Sequence, residues 1–384
     1  MKPVEKSMFN QPSWGISTES VELYLTVKGG HMAPVTFFRN TKTPVEPYFI
    51  NPWHNEKNPT DIDILNVLRG DFFCCPFGGG AYKKEVHPIH GETANGNWTL
   101  EAAAEKDGIA SLTVSMKTKI RPGKVEKKLL LKKGHNAVYL CHTLSGYTGP
   151  MAPGHHATLK VPDREGAMLI STSPIHYGLT NGRSIPETFS GDKEYYSLAS
   201  GKKFTSLAKV PTLWKDMPYT DCSVYPNRKG FVDILGVFAK TGKTPAWTAA
   251  VLPAEGYLWF SLKDPVKLPT TLMWRENRGR HGAPWSSRTL CLGLEDICAF
   301  MAEGLGGSAK PNVLNKAGIA TSVTLSKAKP YSINYIQGAA LVPKGFDRVK
   351  SASFGKGEVV FTSESGKKVK VPVSWDFVYS GSLA

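Results

Sequence analysis

The sequence predicts an all-β, mainly antiparallel protein that folds as a large sandwich with few short helices. Alternating apolar and polar residues recur along most of the chain, as half-buried strands require, and turn residues separate these runs. Helical spacing is confined to residues 60–68 and 295–305. No repeat of solenoid length and no low-complexity linker interrupts the pattern, which favours a single domain over residues 1–384.

The N-terminal part predicts a hairpin that follows an unstructured start. Residues 1–19 are expected to be a loose lead-in. Residues 20–27 alternate clearly, with every second side chain apolar, and Gly29–Gly30 turns the chain into a second strand over residues 33–38. A loop rich in Pro and Asn then leads to residues 60–68, which predict one short helix capped by Thr60.

The rest of the chain predicts a succession of strands. Residues 163–220 are rich in polar residues, Pro and Gly, so we expect long loops there. A short helix is expected to begin at Glu295, because Ile297, Phe300, Met301 and Leu305 have helical spacing. The predicted strands cover residues 72–77, 98–103, 110–118, 125–132, 137–144, 156–161, 231–239, 246–252, 257–262, 269–274, 289–294, 319–325, 331–341, 359–362 and 369–375.

Composition narrows the classes of function. The net charge of +15 raises the hypothesis that the protein binds nucleic acid or a membrane surface. The lysines are scattered along predicted strands, however, where they are explained by solvent-exposed faces and by protection of sheet edges. No apolar run is long enough to span a membrane. The six cysteines form no CxxC pair, and the N-terminus has no apolar segment typical of an export signal, so we expect a cytoplasmic protein. A periplasmic location stays open if an export signal was removed. We therefore expect no nucleic-acid and no membrane partner. The sequence indicates no oligomeric state.

Neither a metal nor a cofactor is expected. Zinc would need three or four ligands at compatible spacing, and Pro88 makes a helix carrying His87 and His90 improbable. His155 and His156 point to opposite faces of a strand, so one of them at most faces a site. No G-x-S-x-G elbow and no phosphate-binding loop are present.

The stretch over residues 273–298 has the composition of a carbohydrate site. Trp274 and Trp285 offer aromatic faces for the C–H surface of a sugar, and Arg280 offers a planar fork for its hydroxyls. The same stretch ends in the carboxylate pair Glu295 and Asp296. Considered singly, each aromatic or arginine residue is as well explained by packing, and the carboxylates by a helix start.

The order of four short motifs resembles the aldose 1-epimerase (galactose mutarotase-like) superfamily over residues 20–375. These motifs are Arg-Gly-Asp-Phe-Phe from Arg69, His-Gly from His90, the histidine at 156 that opens a strand, and Leu-Glu ending at Glu295. The resemblance implies a β-supersandwich and an enzyme that interconverts the α and β anomers of a sugar without a cofactor. It implies Glu295 as general base and His156 as general acid in ring opening.

The resemblance also implies substrate-binding residues. His90 matches the histidine of the His-Gly motif, Arg69 is the best match to the sugar-binding arginine, and Asn95 is a candidate wall residue beside Trp274, Arg280 and Trp285. The sugar-binding aspartate has two candidates, Asp233 and Asp221.

The chain departs from the pattern of galactose mutarotases in ways that indicate a divergent branch. Gly-His-His-Ala-Thr-Leu replaces Asn-His-Thr-Tyr-Phe-Asn, so His155 competes with His156 for the acid role. The arginine-rich loop and the basic charge favour an anionic or phosphorylated sugar. The alternative function is a non-catalytic carbohydrate-binding or accessory protein on the same fold; a lyase or glycosidase would require a second acid or a tyrosine base in the same cleft.

Overall fold

The computed structural model describes residues 3–57, 59–182 and 194–383 and consists mostly of antiparallel strands. In these ranges the helices are short: α1 (Asp63–Val67), α2 (Gly304–Ser308), α3 (Phe377–Ser380), and two 3-10 turns at Glu92–Ala94 and Asn315–Ala317. The strands are β1 (Val4–Met8), β2 (Gln11–Ser17), β3 (Val21–Thr26), β4 (Met32–Phe37), β5 (Phe73–Cys74), β6 (Gly80–Tyr82), β7 (Glu85–His87), β8 (Thr99–Lys106), β9 (Ile109–Thr118), β10 (Gly123–Lys132), β11 (Ala137–Ser145), β12 (Gly149–Met151), β13 (Gly154–His155), β14 (Ala157–Lys160), β15 (Met168–Thr172), β16 (Ile175–Thr180), β17 (Lys203–Phe204), β18 (Val210–Pro211), β19 (Tyr219–Thr220), β20 (Val224–Tyr225), β21 (Phe231–Ala239), β22 (Ala246–Leu252), β23 (Tyr257–Lys263), β24 (Thr270–Asn277), β25 (Leu290–Ile297), β26 (Val323–Leu325), β27 (Tyr331–Leu341), β28 (Val349–Gly355), β29 (Glu358–Ser363) and β30 (Lys368–Pro372).

Two large sheets form the sandwich. Within the described ranges, one sheet has nine strands in the order β20-β15-β22-β23-β27-β11-β10-β9-β8. The other has eight, in the order β17-β16-β21-β24-β25-β13-β5, with β14 also pairing with β25. Apolar side chains from both sheets, such as Leu140 and Trp259 from the first and Met273 and Leu294 from the second, form the core between them. The all-β sandwich prediction is confirmed.

A buried ionic cluster crosses this core. Asp296 on β25 accepts hydrogen bonds from Lys263 (2.5 Å), Ser261 (2.8 Å), Tyr335 (2.7 Å) and Thr271 (2.7 Å). Burial opposes the charge of Asp296, but the Lys263 ammonium and the hydroxyl donors lower its pKa. Ser261, Lys263 and Tyr335 belong to the nine-stranded sheet, so the cluster ties the two sheets together.

The C-terminal part covers the outer face of the nine-stranded sheet. The small sheet β28-β29-β30 and the helix α3 contribute Val359, Phe361 and Phe377 to a second core, in which they pack against Trp247 and Phe260. This layer leaves the outer face of the eight-stranded sheet as the one on which a cleft forms.

The N-terminal expectation of a loose lead-in over residues 1–19 is wrong. Val4–Met8 and Gln11–Ser17 form a hairpin that pairs with β3, and Trp14 and Ile16 are buried. Arg69 holds the turn of this hairpin, because its guanidinium donates to the carbonyls of Met8 (2.8 Å) and Phe9 (3.2 Å).

Two further predictions need correction. The helix expected over residues 295–305 is wrong at its start, because β25 runs to Ile297 and the helix α2 begins only at Gly304. The stretch over residues 163–220, where long loops were expected, contains strand β15 of the nine-stranded sheet and strand β16 of the eight-stranded sheet. Residues 183–193 of that stretch lie outside the described part. In the described chain, no helix is long and apolar enough to cross a membrane.

The ionic cluster leads to a stability prediction. Asp296→Asn leaves the Lys263 ammonium buried without its counter-charge, so we expect the free energy of unfolding to fall by about 3 kcal/mol or more. Urea denaturation followed by tryptophan fluorescence measures it. Asp163→Asn is the matched control, because Asp163 pairs with Arg278 at the surface, and we expect a loss below about 1 kcal/mol. Equal losses in the two variants would contradict the prediction.

Candidate active site

A cleft opens on the outer face of the eight-stranded sheet. Its empty volume, open solvent at the mouth included, is about 890 Å³. Its lining comes from strands β21, β24 and β25, from the segment around α1 and from loops elsewhere in the chain. The lining residues are Ile62, Ile64, Leu65, Leu68, Phe72, Phe77, Gly78, Gly79, Ile89, His90, His156, Glu194, Ile234, Leu272, Trp274, Arg280, Trp285, Glu295 and Ala302.

Glu295 and His156 lie side by side on the floor. Glu295 is on β25, and His156 lies between β13 and β14, which both pair with β25. The Nε2 atom of His156 is 3.1 Å from Oε1 of Glu295, and its Nδ1 is 3.1 Å from the Thr158 hydroxyl. Both side chains line the same cleft, and they are in contact, with no sugar-sized gap between them.

Aromatic rings fix the orientation of His156. Phe72 stacks on its imidazole with 4.3 Å between ring centroids, and Trp274 meets it edge-on at 5.8 Å. His90 approaches it edge-on at 4.8 Å. The imidazole is therefore held between apolar surfaces with its Nε2 beside the carboxyl group.

The dry surroundings favour uncharged forms of this pair. Burial raises the pKa of Glu295 well above its usual value of 4.5, and the nearby Arg280 only partly opposes this. Burial also lowers the pKa of His156 well below 6.5. Both shifts favour the state in which Glu295 is protonated and His156 is neutral. Oε1 of Glu295 has no hydrogen-bond partner among the described residues, although Nε2 of His156 lies 3.1 Å from it.

His90 enters the cleft from a strained turn. Its backbone φ is +62°, and Gly91 follows with a φ of +77° at a point where a Cβ would lie 2.3 Å from the Cys75 carbonyl oxygen. The backbone N–H of Gly78 donates to Nδ1 of His90 at 3.3 Å, which leaves the proton on Nε2. Burial lowers the pKa of His90 to about 3, so it serves as a neutral donor.

Arg280 lies between the two tryptophans of the cleft. Its guanidinium carbon is 5.1 Å from the ring centroid of Trp274 and 4.8 Å from that of Trp285. Nε donates to Glu194 at 2.7 Å, and NH1 is 3.6 Å from a carboxylate oxygen of Glu276. Burial works against the charge of Arg280, but the two carboxylates raise its pKa. The charge of Arg280 is therefore matched within the protein.

The structure brings six of the eight predicted site residues to the cleft. Glu295, His156, His90, Trp274, Arg280 and Trp285 all line it. Arg69 does not, since it is fully buried and its guanidinium bonds to backbone carbonyls of the N-terminal hairpin. Asn95 does not either; its amide donates to the carbonyls of Ile89 (2.8 Å) and Gly91 (2.7 Å) and holds the turn that carries His90.

The remaining candidates lie elsewhere. His155 faces the core between the sheets, where its Nδ1 is 3.0 Å from Asp71, so strand alternation separates it from His156. Asp233 accepts hydrogen bonds from the backbone N–H groups of Ser197 and Leu198, and Asp221 from Ser223. Neither aspartate lines the cleft. In the described ranges, no cluster of His, Cys, Asp or Glu could hold a metal ion.

Solved structures share this architecture. A galactose mutarotase-like protein from Clostridium acetobutylicum superposes with a TM-score of 0.58 at 11% identity, over 88% of this chain and 97% of its own. A galactose mutarotase related enzyme from Lactobacillus acidophilus gives 0.54 at 10% identity, over 86% and 99%. An unconfirmed aldose 1-epimerase from Klebsiella pneumoniae gives 0.56 at 13% identity, over 87% and 80%. The chain therefore has the galactose mutarotase-like fold, and no protein-family profile or curated sequence matches it.

The environment of His156 leads to a spectroscopic prediction. We expect its imidazole to stay neutral as the pH is lowered from 8 through 6.5, because burial penalises the charged form. Nitrogen-15 NMR of the ring measures this, with free histidine in the same buffer as reference and His156→Asn for assignment. Protonation with a midpoint near 6.5 would show that the ring is solvated.

Proposed function

We propose that the protein interconverts the anomers of a cyclic hemiacetal sugar, with Glu295 and His156 as the acid–base pair. The observation that carries the proposal is the 3.1 Å contact between these two side chains on the floor of the cleft. Ring opening moves one proton off the anomeric hydroxyl and another onto the ring oxygen. Both oxygens are bonded to the same carbon, so an acid and a base that lie side by side can reach both of them.

The chemistry needs no redox partner. One member of the pair takes the proton of the O1 hydroxyl as O1 becomes an aldehyde oxygen. The other gives its proton to the ring oxygen as the C1–O5 bond breaks. Rotation about C1–C2 and the reverse transfer close the ring as the other anomer.

Glu295 and His156 together carry one titratable proton, and either residue can be the donor while the other is the acceptor. With the proton on Glu295, the carboxyl is the donor and the imidazole of His156 the acceptor; the resemblance implies the opposite assignment, which begins from the ion pair. Low dielectric favours the neutral start, and the product ion pair is stabilised by mutual contact. Both assignments require the same atoms.

The cleft offers unpaired polar groups to a ligand. A buried carboxyl oxygen without a hydrogen bond costs about 1–3 kcal/mol, and a bound hydroxyl that donates to it removes that cost. His90 and the indole N–H of Trp274, which has no partner in the described chain, could donate to hydroxyls or to the ring oxygen. A glycosidase would need a second free carboxyl group, and Glu194 is already bound by Arg280 and Tyr196.

Substitution of either partner tests the proposal. We expect Glu295→Gln and His156→Asn each to lower kcat/KM for anomerisation by about 100-fold or more, since each removes a proton donor or acceptor. Exchange NMR of equilibrated α and β sugars gives the rate above buffer. Asp163→Asn is the control and should retain the wild-type rate, because Asp163 is exposed and is not among the residues that line the cleft. Full activity in Glu295→Gln would remove Glu295 from the mechanism.

The pH dependence follows from the same pair. The active state holds one proton, so activity falls when His156 gains a second proton and when Glu295 loses the last one. Because the His156 pKa is lowered, the acid-side fall lies below pH 6.5; because the Glu295 pKa is raised, the alkaline-side fall lies above pH 4.5. We therefore expect kcat/KM, corrected for buffer catalysis, not to fall as the pH is lowered through 6.5. A decline of kcat/KM near pH 6.5 would contradict the premise that Glu295 and His156 are shielded from water.

A further inference from the structure

The wall of the cleft is mainly aliphatic. The aliphatic side chains come from five separate parts of the chain: Ile62, Ile64, Leu65, Leu68, Ile89, Ile234, Leu272 and Ala302. Ile62, Leu65, Ile89 and Ile234 are only half-buried, so they form an apolar rim at the mouth. A hydroxyl placed against such a wall loses its hydrogen bonds to water and gains none.

Apart from the indole N–H of Trp285, the polar side chains among the described lining residues occur in two places. His156, Glu295, His90 and the indole of Trp274 gather around the proposed point of chemistry. Glu194 and Arg280 bind each other at 2.7 Å. The cleft can thus make polar contacts with a hemiacetal centre and one adjoining hydroxyl, whereas the rest of a ligand would face hydrocarbon.

The charge balance of the cleft also disfavours an anionic sugar. Arg280 is the one cation among the described lining residues, and Glu194 and Glu276 neutralise it. The other arginines of the loop are engaged elsewhere: Arg275 bonds to the Cys222 carbonyl, Arg278 to Asp163 and Arg288 to Glu56. The expectation of an anionic or phosphorylated sugar rested on these arginines and on the basic net charge, and the arrangement of the arginines gives it no support.

We infer that the site is selective for an uncharged cyclic hemiacetal whose ring carries an apolar substituent, as a 6-deoxyhexose does. This rests on the proposed function and adds the substrate class. The hemiacetal carbon would lie at Glu295 and His156, and the methyl group would contact the aliphatic wall. An apolar pocket rejects an isosteric ligand with an added hydroxyl by up to about 100-fold, which sets the scale of the expected preference.

Matched sugar pairs test the inference. D-fucose differs from D-galactose, and 6-deoxy-D-glucose from D-glucose, only in the hydroxyl at C6. We expect kcat/KM to be about 10-fold to 100-fold higher for each 6-deoxy sugar, and lowest for galactose 6-phosphate. Equal or higher values for the hexoses or the phosphate would overturn the inference and leave the proposed function standing.

A binding measurement separates the two proposals. Dissociation constants for the same sugars are measured by NMR titration with Glu295→Gln, which retains the wall but lacks the carboxyl group. Tighter binding of the 6-deoxy sugars without any turnover by the wild type would support the substrate class and refute the proposed function. Binding of neither 6-deoxy sugar would overturn the inference.

Wall variants show which surface sets the preference. Ile234→Thr keeps the branched shape on β21 and adds a hydroxyl, so we expect the ratio of kcat/KM for D-fucose over D-galactose to fall severalfold. Val266→Asn is the control, because Val266 is exposed and lies outside the cleft lining; its ratio should match the wild type. An unchanged ratio in both Ile234→Thr and Leu65→Gln would overturn the assignment of the wall.

Discussion

The alternation of β25 is the constraint on which both the core and the candidate site depend. Successive side chains of a strand point to opposite faces, so Glu295 enters the cleft while Asp296 enters the core between the sheets. The four donors around Asp296 come from β24 beside it and from β23 and β27 in the facing sheet, and they fix the register of β25 against β24. A slip by one residue would exchange the two carboxylates and leave Lys263 unpaired in the core.

The same register allows Glu295 and His156 to meet. Gly293, two residues before Glu295 on the same face, leaves space that a Cβ would fill at 2.3 Å from Oε1 of Glu295 and 3.1 Å from the Cβ of Trp274. Because no side chain stands there, the carboxyl group can lie flat along the sheet toward the neighbouring strand. Phe72 then closes the imidazole from the other side. This packing buries Glu295 and His156 away from water. Burial raises the pKa of Glu295 and lowers the pKa of His156, so it favours the uncharged form of each.

The sequence predicted the sheets better than the loops. Residues 231–239 and 331–341 were predicted with the bounds that the structure shows, since their period of two is a local property. Glu295 and Asp296 misled the helix prediction, because a carboxylate pair inside a buried strand is explained only by Lys263 and His156, which are distant in sequence. For the same reason Arg69 and Asn95 looked like ligand contacts, although their partners are backbone carbonyls that no local pattern reveals. Glu194 was missed altogether; its significance comes from Arg280, 86 residues further on.

Arg280 shows how an arginine can belong to a site without binding ligand charge. Its two faces pack on Trp274 and Trp285, while its N–H groups are directed to Glu194 and Glu276. The guanidinium therefore sets the distance between Trp274 and Trp285. Its ion pair with Glu194 also holds the segment around Glu194 beside them. Its charge still reaches Glu295, where it limits the rise of the carboxyl pKa. Removing Arg280 would loosen the walls and leave two buried carboxylates without a counter-charge. In the proposed reaction Arg280 is therefore a positioning residue whose charge acts on Glu295 from a distance.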